Sequence, residues 1–112
     1  MYIRCAFFRG HVKPGQQEAF DAHIQSELVK LWSRFPNVEE VRLLREVESD
    51  QPDTHLELII QMRFPSREAI AEALDSDVRW ESKAASQRLF DLFDGDVFHS
   101  VFRAEALSIP HA

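Results

Sequence analysis

The stretch "HLELIIQMRF", residues 55–64, decides the fold because its polar and apolar residues alternate almost without interruption. Alternation with a period of two is typical of a β-strand that is covered on one side. Residues 38–48, "VEEVRLLREVE", alternate in a similar way, and the residues between the two stretches, "SDQPDT", all favour turns. The sequence therefore predicts a hairpin whose second strand directs one set of side chains at a core, namely Leu56, Leu58, Ile60, Met62 and Phe64.

Helical patterns flank this hairpin on both sides. Upstream, apolar residues recur at spacings of three and four over residues 20–35, and Pro36 ends the pattern because a proline pushes the preceding residue out of the helical region. Downstream, Ser66 is a good N-cap for "REAIAEAL", residues 67–74. An interruption, "DSD", and a second apolar stripe follow. We expect one helix before the hairpin and a broken helix after it.

The remaining regular segments are the first and the last strand of the chain. Aromatic and small apolar residues dominate over residues 2–9, and residues 97–104, "VFHSVFRA", alternate again. The order β-α-β-β-α-β predicts an α+β, ferredoxin-like domain over residues 1–104, in which a four-stranded antiparallel sheet carries its helices on one face. Residues 105–112, "EALSIPHA", form a C-terminal tail outside that plan.

Composition and charge exclude several classes of protein. The chain has 112 residues, the usual length of one domain, and 45% of them are hydrophobic. Its net charge of −6 repels phosphate backbones and argues against nucleic-acid binding. No apolar run approaches the roughly 20 residues of a membrane-spanning helix. Cys5, the only cysteine, cannot form an internal disulfide, and we expect it to be a buried apolar residue of a cytoplasmic protein.

The alternation also predicts which side chains lie on the face that the helices leave uncovered. That face is mixed, and its apolar members would form a patch that soluble monomers rarely expose. A homodimer that packs the two sheets face to face would cover the patch and enclose a cavity. The predicted members are Arg4, Ala6, Phe8, Arg42, Leu44, Glu46, Glu57, Ile59, Gln61, Val97, His99, Val101 and Arg103.

Three short motifs, together with the element order, resemble the dimeric α/β-barrel superfamily and, within it, the EthD-like group. They are "VKPGQQEAFDAH" at residues 12–23, "FPNV" at 35–38 and "EALDSDVRWES" at 72–82, and the resemblance covers about residues 3–104. It implies a small homodimer whose sheets form a barrel-like shell around a pocket. It also implies isomerisation, cyclisation or cofactor-free oxygenation of aromatic, lactone or polyketide compounds, although many members have no assigned function.

His23 lies at the border of the apolar stripe of the first helix and has two interpretations. It matches the first of two histidines in the EthD-like pattern, whereas Leu28 stands at the second position and Lys30 at the position of a proline. A histidine near a cavity mouth can act as a general acid or base. The alternative is a half-solvated residue that is hydrogen-bonded to a backbone carbonyl group.

A second candidate site consists of polar residues that we expect to converge on the dimer-facing side of the sheet: His99, Arg4, Arg42, Glu57, Gln61 and Arg103. Guanidinium groups suit a carboxylate, phenolate or enolate, and His99 is the first choice for proton transfer. The alternative is a lining of Arg and Glu ion pairs that only satisfies a buried interface. The histidines lack metal-ligand spacing and no CxxC occurs, so no metal or cofactor is expected.

These observations leave three hypotheses about function. The first is a small cofactor-independent enzyme that acts on an aromatic, lactone or polyketide-like metabolite, with His99 or His23 moving a proton. The second is a non-catalytic binding or accessory dimer that holds a small anionic or aromatic ligand in the same pocket. The third is a structural dimer whose pocket is filled by its own side chains. The sequence leaves open whether the protein is an enzyme.

Overall fold

A computed structural model describes residues 1–110 and contains the predicted order of elements. The last two residues of the predicted tail lie outside the described part, and residues 105–110 have no regular secondary structure. The elements are β1 (Tyr2–Val12), α1 (Gln17–His23), a π-helical segment (Ile24–Leu28), α2 (Val29–Trp32), β2 (Glu40–Leu44), β3 (Leu56–Phe64), α3 (Arg67–Leu74), α4 (Asp77–Asp91) and β4 (Phe93–Arg103).

The four strands form one antiparallel sheet in the order β2-β3-β1-β4. The predicted hairpin is present, with Leu43 opposite Ile60. The sheet order places β1 in the centre and leaves β4 at an edge. The helices pack on one face, so the predicted ferredoxin-like α+β architecture is confirmed.

The core lies between that face and the helices. Its largest completely buried side chains come from the first helical region, from β3 and from α4, and they are Phe20, Ile24, Leu28, Leu58, Phe64 and Leu89. The first helix is not a regular α-helix throughout, because its middle turn is π-helical. Ile24 and Leu28 at the two ends of that turn are both buried. The apolar stripe read from the sequence therefore remains directed at the core across the irregular turn.

Local chemistry sets the ends of several elements. The Ser66 hydroxyl accepts a hydrogen bond from the Ala69 amide at 3.1 Å, which confirms the predicted N-cap of α3. After β1 the chain turns at Gly15, whose φ of +77° favours glycine. After Pro36 the chain turns again at Asn37, which adopts a φ of +66° and is one of the few non-glycine residue types that tolerate this region.

The prediction of which side chains of β1 and β4 face the helices was wrong. Ala6 pairs with Ile60 on one side and with His99 on the other, while Phe8 pairs with Leu58 and Val97. Because the β3 partners belong to the core, these β1 and β4 residues face the helices. The affected residues are Arg4, Ala6, Phe8, Val97, His99, Val101 and Arg103. Arg42, Leu44, Glu57, Ile59 and Gln61 do lie on the uncovered face, as predicted. Glu46 lies beyond the end of β2 and is not part of the sheet.

The uncovered face nevertheless carries an apolar patch, which shares Leu44 and Ile59 with the predicted one. Phe7 stacks on Phe98 with ring centroids 4.9 Å apart and contacts Phe102 edge-on at 6.3 Å. Phe102 is 48% exposed. Ile3, Ile59 and Leu44 extend this surface, which we call the open-face patch: Ile3, Phe7, Leu44, Ile59, Phe98 and Phe102. Cys5 lies beneath it and is buried, as predicted, and burial raises the pKa of its thiol.

No helix within residues 1–110 is long and apolar enough to cross a bilayer.

Candidate functional site: a cationic cleft beside helix α4

An apolar cavity lies between α4 and the helix-facing side of β1 and β4, with a volume of about 250 Å³. Two of the residues that line it, Lys83 and His99, are exposed. An engineered apolar cavity of about 150 Å³ is known to hold benzene, so this space suits a ligand of one ring with substituents. We call it the α4 cleft, and its lining is Arg4, Ala6, Phe8, Trp32, Phe35, Ile60, Met62, Arg79, Ser82, Lys83, Ser86, Phe90, Val97 and His99.

One face of α4 supplies a graded wall to the cleft. The residues that line it recur at helical spacing, from Arg79 through Ser82 and Ser86 to Phe90. The first ten residues of the helix contribute cationic and hydroxyl side chains, with Lys83 between Ser82 and Ser86, and its end contributes the aromatic Phe90. The opposite wall on β1 also changes from cationic to aromatic, from Arg4 to Phe8.

Charge in the cleft is of one sign. Arg4, Arg79 and Lys83 line it, and no Asp or Glu is part of its lining within residues 1–110. None of the ion pairs found in the described part of the chain involves these three side chains. Burial, and secondarily the charge of Arg79, lowers the pKa of Arg4. Two guanidinium groups thus share one partly apolar space without a carboxylate between them.

His99 stands beside these cations on β4, opposite Ala6. Partial burial is the main reason that the pKa of His99 lies below its ordinary value, and the charges of Arg4 and Arg79 lower the pKa further. A lowered pKa favours the neutral imidazole, which can accept a proton.

Trp80 lies beneath two of the cations at the beginning of α4. Its indole ring has the Arg79 guanidinium carbon 4.8 Å from its centroid and the Lys83 ammonium nitrogen 5.3 Å from it. Arg79 also donates a hydrogen bond from Nη1 to the Leu74 carbonyl oxygen at 3.2 Å. These contacts restrict Arg79 at the cleft.

The structure divides the six residues that were predicted to converge between the two faces of the sheet, with Arg4 near His99 on one face and Arg42 opposite Gln61 on the other. Arg4 and His99 line the same cleft, on the helix side of the sheet and not on the dimer-facing side. Arg103 shares that side but pairs with Glu105 at 3.1 Å. Arg42, Glu57 and Gln61 lie on the opposite face, where Arg42 pairs with Glu40 at 2.5 Å and Glu57 lies 3.7 Å from His55. The expectation of one converging set was therefore wrong.

His23 contacts a backbone carbonyl group, as the alternative to a catalytic role predicts. Its Nε2 lies 2.7 Å from the backbone carbonyl oxygen of Ala85, so the ring joins the first helix to α4. It is not among the residues that line the α4 cleft. Its placement favours a packing role over proton transfer.

Sequence reasoning missed the α4 wall of the cleft. Arg79, Ser82, Lys83 and Ser86 were absent from the predicted site because the apolar stripe of this helix was read only as core. A polar series with helical spacing on the side next to that stripe was the available signal. Ser82 is the one polar residue among the buried ones in the described chain.

No group of three or more His, Cys, Asp and Glu side chains suited to a metal ion is found within residues 1–110. The ring of His55 stacks on His11 with centroids 4.5 Å apart, and its Nδ1 lies 3.3 Å from Glu46 Oε1.

Comparison with known proteins gives matches of structure only. No protein-family model matches the sequence, and no curated protein matches it. An EthD (ethyl tert-butyl ether D) family protein from Bacillus halodurans C-125 is 18% identical with a TM-score of 0.75, over 94% of this chain and 99% of that one. A DABB family protein with a ferredoxin-like fold from Mesorhizobium loti is 15% identical with a TM-score of 0.64, over 94% and 98%. An antibiotic biosynthesis monooxygenase is 18% identical with a TM-score of 0.59, over 95% and 100%.

These matches extend along nearly the whole chain and nearly the whole of each matched protein. At identities below a fifth they establish the fold and do not transfer an activity. The structural neighbours thus include EthD, DABB and antibiotic biosynthesis monooxygenase proteins, in agreement with the resemblance noted in the sequence. The chain has the ferredoxin-like fold that these proteins share.

Proposed function

We propose that this chain binds a small aromatic, lactone or polyketide-like metabolite in the α4 cleft and acts on it as a cofactor-independent enzyme of the isomerase, cyclase or monooxygenase type. The observation that supports this proposal is an imidazole, His99, that lines a largely apolar cleft together with two guanidinium groups and whose pKa is lowered by burial. Such an arrangement combines a base with donors for the negative charge that deprotonation creates. The likeness to an antibiotic biosynthesis monooxygenase agrees with this class of chemistry.

The chemistry begins with proton transfer. His99 takes a proton from a carbon next to a carbonyl group, or from a phenol, and the electron pair moves onto the oxygen. The resulting enolate or phenolate is held by the guanidinium of Arg4 or Arg79. Return of the proton to another carbon is an isomerisation, attack of the enolate on a second carbonyl group of the same molecule is a cyclisation, and reaction with molecular oxygen is an oxygenation.

Thermal shift measurements with matched histidine variants test this proposal. Aromatic acids, lactones and quinones are screened against the wild type, His99→Asn and Arg4→Gln, with His11→Asn as the control because His11 is exposed and remote from the cleft. We expect at least one class to raise the melting temperature of the wild type and of the control, and to do so less in the two cleft variants. The absence of any stabilising compound would contradict the proposal.

The second candidate function is binding without turnover. It is favoured by one observation: apart from arginine and lysine, His99 is the only acid or base in the cleft lining within residues 1–110. A reaction that needs a separate acid and base would lack one partner. Proton exchange of a bound compound in D₂O, followed by NMR, separates the two candidates. Exchange that is lost in His99→Asn indicates catalysis, whereas saturating binding without exchange indicates a binding or accessory protein.

We further propose that the protein is a homodimer through the open-face patch. Phe7, Phe98 and Phe102 form a contiguous aromatic surface, and the face as a whole is self-complementary in charge because it carries Arg42 and Glu57. A twofold axis through such a face buries the apolar side chains of both copies. In this arrangement the dimer covers one side of the sheet while the α4 cleft remains on the other.

We assign the proposed activity to the cytoplasm. Cys5 is buried and unpaired, so the fold needs no disulfide and no oxidising compartment. A fluorescent fusion that distributes outside the cytoplasm would contradict this assignment.

A further inference from the structure

We infer that the α4 cleft takes an amphipathic carboxylic acid in one orientation, with the carboxylate at Arg4 and Arg79 and the apolar end at Phe8 and Phe90. This inference rests on the proposed function, since it names the substrate class of the same site. The carboxylate subsite lies at the cationic beginning of α4, and Trp80 is its positioning residue. Both walls change from cationic to aromatic along the cleft, the lining within residues 1–110 contains no carboxylate, and Trp80 contacts two of the cations.

The positive charges at the cationic end of the cleft favour binding of an anion. A chain with a net charge of −6 places Arg4, Arg79 and Lys83 together around a space whose lining, within residues 1–110, includes no acid. Unpaired guanidinium groups in a partly buried space repel each other. A carboxylate between Arg4 and Arg79 would accept hydrogen bonds from both and remove that repulsion.

Trp80 organises this subsite before a ligand arrives. Its ring lies within 4.8 Å of the Arg79 guanidinium carbon and 5.3 Å of the Lys83 nitrogen, while the Leu74 carbonyl oxygen fixes one Arg79 nitrogen. Trp80 is itself 54% exposed, so its burial alone does not explain its presence at this point of α4. Holding two flexible cations in place lowers the entropy lost when an anion binds.

The opposite end of the cleft suits an apolar group. The rings of Phe8 and Phe90 are 6.2 Å apart, and Val97 pairs with Phe8 on the neighbouring strand. From residue 79 to residue 90 the helix rises about 16 Å, and from residue 4 to residue 8 the strand rises about 13 Å. An elongated ligand is therefore required to reach both ends.

His99 lies between the two ends, which specifies where such a ligand would react. It is opposite Ala6, two residues along β1 from Arg4, a separation of about 7 Å along the sheet. A ligand whose carboxylate is bound at Arg4 thus presents to His99 a carbon several bonds away from the carboxylate. The substrate class is a carboxylic acid with a carbonyl group or activated ring remote from the acid group and an apolar end beyond it.

Calorimetric titration with two matched probes tests the orientation. The probes are 4-phenylbutanoate and 4-phenylbutanamide, which differ only in the charged group. We expect the wild type to bind the acid about tenfold more tightly than the amide, as for a hydrogen bond to a charged group. Arg79→Gln should lower this ratio without weakening amide binding, because only Arg4 then remains at the carboxylate. Arg79→Lys should lower it less, and Arg88→Gln, an exposed arginine of the same helix, should leave it unchanged.

Trp80 and Phe90 provide independent variants. Trp80→Leu should reduce the ratio of acid to amide affinity although Arg79 remains, whereas Trp80→Phe should largely retain it. Phe90→Ala should weaken both probes equally. Equal binding of the two probes, unaffected by Arg79→Gln, would overturn the inferred orientation and leave the cleft as a binding site. Binding of neither probe by folded wild-type protein would overturn this inference, whereas the proposed use of the cleft would be decided by the thermal shift screen with lactones and quinones.

Discussion

Two glycines that face each other across β1 and β4 allow the sharpest stability prediction. Gly10 and Gly95 are cross-strand partners with φ values of +141° and +153°. A Cβ atom added at Gly95 would lie 2.9 Å from the Gly10 Cα and closer still to the Arg9 carbonyl oxygen. Ordinary contacts between carbon atoms are about 3.5–4.0 Å, so the strands would have to separate. These strands carry Arg4 and His99.

The magnitude follows from two contributions. The backbone conformation at Gly95 is disfavoured for alanine by about 1–3 kcal/mol. Separation of the strands weakens the two nearest ladder hydrogen bonds, each of which contributes about 0.5–1.5 kcal/mol. We therefore expect Gly95→Ala to lower the free energy of unfolding by about 4 kcal/mol, a large part of the 5–15 kcal/mol that is typical of a domain.

Gly15→Ala is the matched control, because it introduces the same methyl group at φ +77° with no atom within 4 Å. It should lower the free energy of unfolding by about 1–2 kcal/mol, the conformational part alone. Urea unfolding followed by the fluorescence of the buried Trp32 measures both variants. If the two substitutions differed by less than about 1 kcal/mol, the steric argument at the glycine pair would be refuted.

Three further outcomes are expected. His23→Ala should lower the free energy of unfolding by about 1 kcal/mol, because the hydrogen bond to the Ala85 carbonyl oxygen is lost. The variant should bind ligand in the α4 cleft with the wild-type affinity. Loss of ligand binding would contradict the position of His23 outside the cleft. Because burial, and then the nearby charges, lowers the pKa of His99, stability should be greatest above its ordinary pKa of 6.5 and fall as the pH drops through that value towards the lowered one. Thermal melts between pH 8 and pH 5 should show less of this fall in His99→Asn, and identical slopes would argue against it. Phe7→Glu should convert a dimer into a monomer by light scattering, and a monomeric wild type would remove the basis of the proposed dimer.

The sheet illustrates how far alternation can be used. On β3, apolar and polar residues alternate clearly, so the covered side was assigned correctly from sequence. On β1, Phe7 and Phe8 are adjacent aromatic residues and Cys5 and Ala6 are adjacent small ones, so both sides are equally apolar. On β4, one side carries Val97 and Val101 and the other carries Phe98 and Phe102, so both sides are apolar there as well. If the alternation of a strand is assigned one residue out of step, all of its side chains are placed on the wrong face. The predicted site therefore combined residues that lie on opposite faces of the sheet.

The sequence by itself determined the order of the elements, the hairpin, the cap at Ser66 and the ferredoxin-like fold, because each of these depends on local periodicity and turn chemistry. Only the tertiary structure decided which side chains share a space. Arg4 and His99 meet Arg79 through strand pairing and through the packing of α4 over β1 and β4, and these contacts join residues that are far apart in the chain. Their convergence depends on the register of two strands that are apolar on both sides, which no local pattern specifies.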